Sequence, residues 1–217
     1  MFAAVPIRPH NRAVRSSTPW WALLSATAAP VLLIGGWTLA ARLQSGGFDS
    51  SAETISALAR ATADERWVMT SALVGLGACH VVTAVGLPAA APGRAVLALG
   101  GISTVLVAAF PLPDSGSSTA HATAATAAFV ALAVWPAVAW RRGATVPAAL
   151  RPAVASGAAV ALVGLVAWFA VSLSTGGRTG LAERVAAGAQ AIWPLVTVVS
   201  TRAAVRRASR PGDGVPR

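Results

Sequence analysis

Asp114 and His121 stand seven residues apart in the stretch FPLPDSGSSTAH, residues 110–121, which joins two long apolar runs. A carboxylate that orients an imidazole makes a workable general base. With a further acid, the same pair has donors for a metal ion. The plainer reading is that Asp114 caps the following helix and His121 is a polar residue at its mouth. Neither spacing is a specific motif, so no metal ligand set is assigned. His80 lies in another apolar run, fourteen residues past Arg66, or about 21 Å along a helix. It is too deep to share a metal with His121, and it is expected either to hydrogen-bond a neighbouring helix or to belong to a proton path.

These residues need elements to position them, and the composition says which. The chain has 217 residues, 55% hydrophobic and 11% charged, about half the charged fraction usual in a soluble domain. Six runs are long enough to cross a bilayer core of about 30 Å: 19–42, 66–87, 95–112, 120–140, 152–174 and 184–204. In hydrocarbon the backbone must satisfy itself, so the runs are expected to be helices. The fold class is all-α, a six-transmembrane-helix bundle over 18–207, flanked by basic tails at 1–17 and 208–217 that are expected to be disordered. The N-terminal run is too long for a signal peptide and has no convincing cleavage site, so it is read as a retained helix. His10, in the first tail, receives no role.

All 17 basic residues are arginine. Twelve fall on one side of the expected bundle: Arg8, Arg12, Arg15, Arg94, Arg141, Arg142, Arg151, Arg202, Arg206, Arg207, Arg210 and Arg217. Arg42, Arg60, Arg66, Arg178 and Arg184 fall on the other, with every acid except Asp213. The positive-inside rule puts the twelve, and both termini, in the cytoplasm, and the expected location is the plasma membrane. A net charge of +10 spread between apolar runs suits a membrane better than nucleic acid, so the lipid bilayer is the expected partner. Trp20, Trp21, Trp67 and Trp140 read as interfacial anchors; Trp37, Trp135, Trp168 and Trp193 read as packed between helices. Cys79 is the lone cysteine. No phosphate loop, zinc-protease, nucleophile-elbow, C-x-x-C or haem-attachment motif is present, and no cofactor is assigned.

Helical spacing of 3.6 residues predicts the inward faces. Glu183, Ala187, Gln190, Pro194, Thr197 and Thr201 form one stripe, His121, Ala125 and Ala128 a second, and Thr70, Gly77, His80 and Ala84 a third. Polar groups in such stripes are costly against lipid and should face the bundle. The segment SSAETISALARATADERW, with Ile55, Leu58, Ala59 and Thr62 on one side, predicts a short amphipathic helix lying on the outer surface. Asp49, Glu53, Asp114, His121, Glu183 and Arg184 gather at that outer end.

The run FDSSAETISALARATADERWVM, followed by a glycine-bearing apolar span and then FPLPDSGSSTAH, resembles the bacterial and archaeal membrane family known as domain of unknown function 998, over roughly residues 20–205. The resemblance implies a six-helix membrane protein without an assigned activity, and gives weight to Ser56, Asp114 and His121. Here the acid follows FPLP, one residue looser than the family's F-P-x-D pattern. Three functions are consistent with these readings. The first is a non-enzymatic protein that binds or senses a lipid or small apolar ligand through outer polar residues, with Glu53, Ser56, Glu183 and Gln190 as ligand contacts. The second is an intramembrane lipid hydrolase or transferase using His121 with Asp114. The third is a small permease lined by the Glu183 stripe.

Overall fold

A computed structural model describes residues 18–209. Among these residues the chain forms six α-helices, two short 3-10 turns and no strand. The helices are α1 (Trp20–Arg42), α2 (Trp67–Gly86), α3 (Ala91–Ala109), α4 (Thr119–Ala139), α5 (Pro152–Thr175) and α6 (Thr179–Ala208). Four of the six expected runs keep their place within one residue. The third begins at Ala91 rather than 95, because Pro92 occupies the first turn, where its missing N–H costs nothing. It stops at Ala109, since Pro111 disfavours helix in the residue before it. α6 runs past both expected ends, so the tail expected from 208 begins inside its last turn. The remaining tail residues and their arginines lie outside the described residues.

Each helix packs on the next, and α6 closes the ring against α1 while touching α2 and α4. At one end Thr18 and Thr201 share a hydroxyl hydrogen bond of 2.6 Å, and Ala90 N–H donates to the Ala139 carbonyl. At the other, Gly180 and Leu181 N–H donate to the carbonyls of Ala52 and Ser51. Helices α1 to α5 are each long and apolar enough to cross a membrane. α6 misses that apolarity because Glu183, Arg184, Gln190 and Arg202 dilute it, but its polar stripe is turned inward: Glu183, Gln190, Thr197 and Thr201 are all buried. Every helix exposes large apolar side chains, such as Val31, Val85, Leu99, Val130, Val160 and Val199. A soluble monomer rarely exposes so much apolar surface; this is a multi-pass membrane protein.

Small residues set the helix spacing. A Cβ on Gly77 would lie 2.4 Å from the Gly101 carbonyl oxygen, and one on Gly101 would lie 2.5 Å from that of Gly77. α2 and α3 therefore cross backbone to backbone. One apolar cluster, including Leu33, Met69, Leu73, Leu76 and Val107, fills the bundle toward the acid-bearing end. A second, around Leu97, Leu132, Trp135, Leu150 and Val198, fills the opposite end.

Two expectations change. The segment after residue 50 does not lie on the surface as an amphipathic helix. It forms a 3-10 turn, Ile55–Ala59, and buries Ile55, Leu58 and Ala59 in the first cluster, while Thr62 stays exposed. An apolar side reads the same whether it meets lipid or protein, and here the bundle end was open to receive it. Trp168 is 42% exposed rather than packed between helices. α5 is buried through Ala155, Ala159, Leu162, Phe169 and Ser172, and position 168 lies about 100° round the helix from Phe169. Trp20, Trp21 and Trp67 are exposed at helix starts, and Trp135 is fully buried.

Candidate functional site

The loop joining α1 to α2 caps one end of the bundle, and its hydrogen bonds show how it is held. Its two ends are tied by Gln44, Ser45 and Asp64. Gln44 donates to the Asp64 carbonyl and accepts the Asp64 N–H, while Ser45 donates from both N–H and hydroxyl to the Asp64 carboxylate. The Ser45 hydroxyl and N–H hold the Asp64 carboxyl below its usual range. Asp49 makes a turn by accepting from the Ser51 hydroxyl and N–H, which lower its pKa in the same way. Glu53 is exposed and accepts the Asp49 N–H at 3.0 Å. The loop seats on Gly180, where a Cβ would stand 2.1 Å from the Glu53 carbonyl oxygen. Arg184 then donates to the carbonyls of Ser50, Glu53 and Gly180. The buried Glu183 carboxylate accepts the Ile55 N–H through Oε2. Glu183 thus ties the 3-10 turn to α6, and its Oε1 makes no hydrogen bond.

His121 sits in the first turn of α4. Ser118 caps that helix by accepting the His121 N–H at 3.2 Å, so the cap expected of Asp114 belongs to Ser118. The expected His121–Asp114 pair is also not formed. His121 Nδ1 is hydrogen-bonded to the Phe110 carbonyl at 2.8 Å, while Asp114 is exposed and makes no hydrogen bond. The physical reason is the end of α3. The last carbonyls of a helix have no partner within it, and Phe110 presents one directly to the imidazole. A carbonyl only accepts, so Nδ1 carries the proton, and in the neutral ring Nε2 keeps its lone pair.

His121 lines a groove of about 430 Å³ between α4 and α5. Thr54, Ser56, His121 and Glu183 supply its polar end; Phe129, Val130, Val166, Phe169 and Leu173 supply its apolar walls. Deeper in the bundle is a cavity of about 60 Å³, with Ser56, Glu183, His80, Thr104 and Gln190 among its walls. Ser56, Ala125, Phe129 and Glu183 line both spaces. Gln190 Nε2 donates to the Phe129 carbonyl at 2.8 Å, which leaves Oε1 without a hydrogen bond. His80 is 1% exposed, and neither ring nitrogen has a partner, contrary to the expected bond to a neighbouring helix.

The structure therefore brings His121, Ser56, Glu183 and Gln190 to two adjoining spaces and leaves Glu53 and Asp114 outside both. Sequence reasoning missed the placement of His80 at the cavity, the hold of Arg184 on the loop and the backbone partner of His121. The burial cost of a mid-helix histidine was the available signal for the first; a carbonyl partner leaves no signal at all. No three of His, Cys, Asp and Glu lie close enough to hold a metal ion among the described residues.

Residues 26–200 match the model of a family described as "Protein of unknown function (DUF998)". The chain belongs to the DUF998 family. The match opens inside α1 and closes inside α6, so the DUF998 region includes the loop cap, the groove and the cavity. No curated protein and no solved structure matches the chain.

Proposed function

We propose that this DUF998 protein crosses the plasma membrane six times with both termini in the cytoplasm, and that its groove binds an amphipathic lipid of the outer leaflet. Arg94, Arg141, Arg142, Arg151, Arg202, Arg206 and Arg207 lie at one end of the bundle with no acid among the described residues. Six acids share the other end with Arg42, Arg60, Arg66, Arg178 and Arg184. That asymmetry supports the orientation. In α6 the stretch between Arg184 and Arg202 is about 25 Å long, and its polar side chains face the bundle, which supports a sixth span. A carboxyl-terminal reporter active only in the cytoplasm should give full signal; signal solely from a reporter active outside would refute the orientation.

The observation that carries the ligand reading is the groove's division into a polar and an apolar part. Val130 lies about 16 Å along α4 from its first residue, close to the half-thickness of a bilayer core. The volume falls in the range of small-ligand sites, roughly 300–1,000 Å³. Val130, Ala170 and Leu173 at its edge are exposed, so the opening faces the side of the bundle, where hydrocarbon lies. His121 Nε2 and Glu183 Oε1 are both acceptors, so the fitting polar end donates hydrogen bonds, as a hydroxyl or amine does. A carboxylate would meet Glu183. The hydrolase alternative needs a carboxylate on His121 Nδ1, and Phe110 occupies that position. A photoreactive long-chain alcohol should label α4 and α5 at the groove; even labelling of all exposed helix faces would refute the reading.

A further inference from the structure

His80 is a buried side chain with neither of its two polar atoms partnered in the bundle. A neutral imidazole has one donor and one acceptor, and leaving both unmade in an apolar interior incurs the desolvation cost of each. Such a group in a native protein calls for a partner outside the chain's own atoms. Trp135 is the contrast: its Nε1–H also lacks a partner, yet it sits in the apolar cluster and borders neither cavity nor groove. His80 borders the 60 Å³ cavity, and a water needs about 10–15 Å³ measured this way.

The walls have the right chemistry for more than one partner. Thr104 gives its hydroxyl proton to the Gly100 carbonyl at 2.9 Å, so toward the cavity it can only accept. Gln190 has spent its amide on Phe129, which leaves its Oε1 as an acceptor. Glu183 has spent one carboxylate oxygen on Ile55. The set is rich in acceptors, with the imidazole N–H as its donor. A group that both donates and accepts completes it, and an anion does not. The Gly77–Gly101 crossing fixes this arrangement, because a Cβ on Gly101 would also stand 3.0 Å from the His80 Cβ.

We infer that His80, Thr104, Gln190 and Glu183 form a second, mid-membrane binding site for hydroxyl groups, which donate to one nitrogen of His80 and accept from the other. The hydroxyls come from water, or from an alcohol that reaches inward past Ser56. The site does not depend on lipid binding in the groove, and its test is separate from labelling of α4 and α5.

The test is solid-state NMR on the full chain in phosphatidylcholine vesicles with ¹⁵N-labelled imidazoles. His10→Gln and His121→Gln variants leave the His80 signals identified by elimination, without touching His80. Magnetisation transferred from water protons to both His80 nitrogens is the expected result when water fills the site. In deuterium oxide with protonated dodecanol, transfer from the alcohol protons instead assigns the hydroxyl to the amphipath. Ala128→Leu, or Ala125→Leu if the first fails to fold, fills the cavity from α4 and should abolish the transfer. Absence of transfer from either source in the unfilled protein, or transfer that survives the filled cavity, overturns the inference.

Discussion

The bundle buries two histidines, and their surroundings are opposite. His121 lies in the first turn of α4, takes one backbone partner and faces a wide groove. His80 lies in the middle of α2, takes none and borders a small cavity. The difference follows from where free carbonyls exist. Helix ends leave carbonyls unpaired, so a polar residue near a loop finds the Phe110 carbonyl without any dedicated side chain. Mid-helix carbonyls are already bonded within their own helix; Gln190 reaches one, that of Phe129, as a second donor, but the His80 ring reaches none. The loop-capped end thus draws its hydrogen-bond partners from backbone, as it also does for Glu183 Oε2 through Ile55 and for Arg184 Nη1 through Ser50 and Glu53, while Arg184 Nε and Nη2 are buried without one. In the middle of the bundle His80 finds no such partner.

The largest effect that separates these regions should come from Gly180→Val. The new side chain strikes the Glu53 carbonyl, so the loop cap must lift from α6 and Ile55 must leave Glu183. Overpacking against backbone should cost about 3 kcal/mol. Hydrogen exchange should accelerate across residues 43–66 and stay unchanged around His80; equal acceleration at both would erase the distinction. A smaller effect is expected of His121→Phe, which keeps a ring but loses the bond to Phe110, at about 1 kcal/mol in thermal or chemical unfolding. Asp114→Ala belongs in the same experiment as the smallest change, under about 0.5 kcal/mol, because the carboxylate is exposed and unbonded. A loss at Asp114 as large as at His121 would restore the dyad that the structure does not form.

Much of the frame was legible because bilayer physics is severe. Uninterrupted apolar runs gave the positions of six helices, and the 3.6-residue spacing of Glu183, Gln190, Thr197 and Thr201 gave the buried face of α6. Less was legible where the backbone acts as partner. The Phe110 carbonyl that replaces Asp114 carries no side-chain signature, and neither do the carbonyls held by Arg184. The insertion of Ile55 and Leu58 was hidden because a turn's apolar side suits a membrane surface and a bundle end equally well. The cavity at His80 depends on the close crossing of Gly77 and Gly101 together with Gln190 from α6, a conjunction across three helices that no single stripe reveals.

The groove's ligand is tested most directly by photolabelling with a long-chain alcohol bearing a diazirine near its tail, in vesicles, with labelled residues mapped by mass spectrometry. The account predicts labelling concentrated at Phe129, Val130, Phe169 and Leu173, displaced by unlabelled alcohol and weakened by Glu183→Gln, with little at the comparably exposed Val31 of α1. Labelling of Val31 equal to that of Val130, undisturbed by competitor, would contradict it.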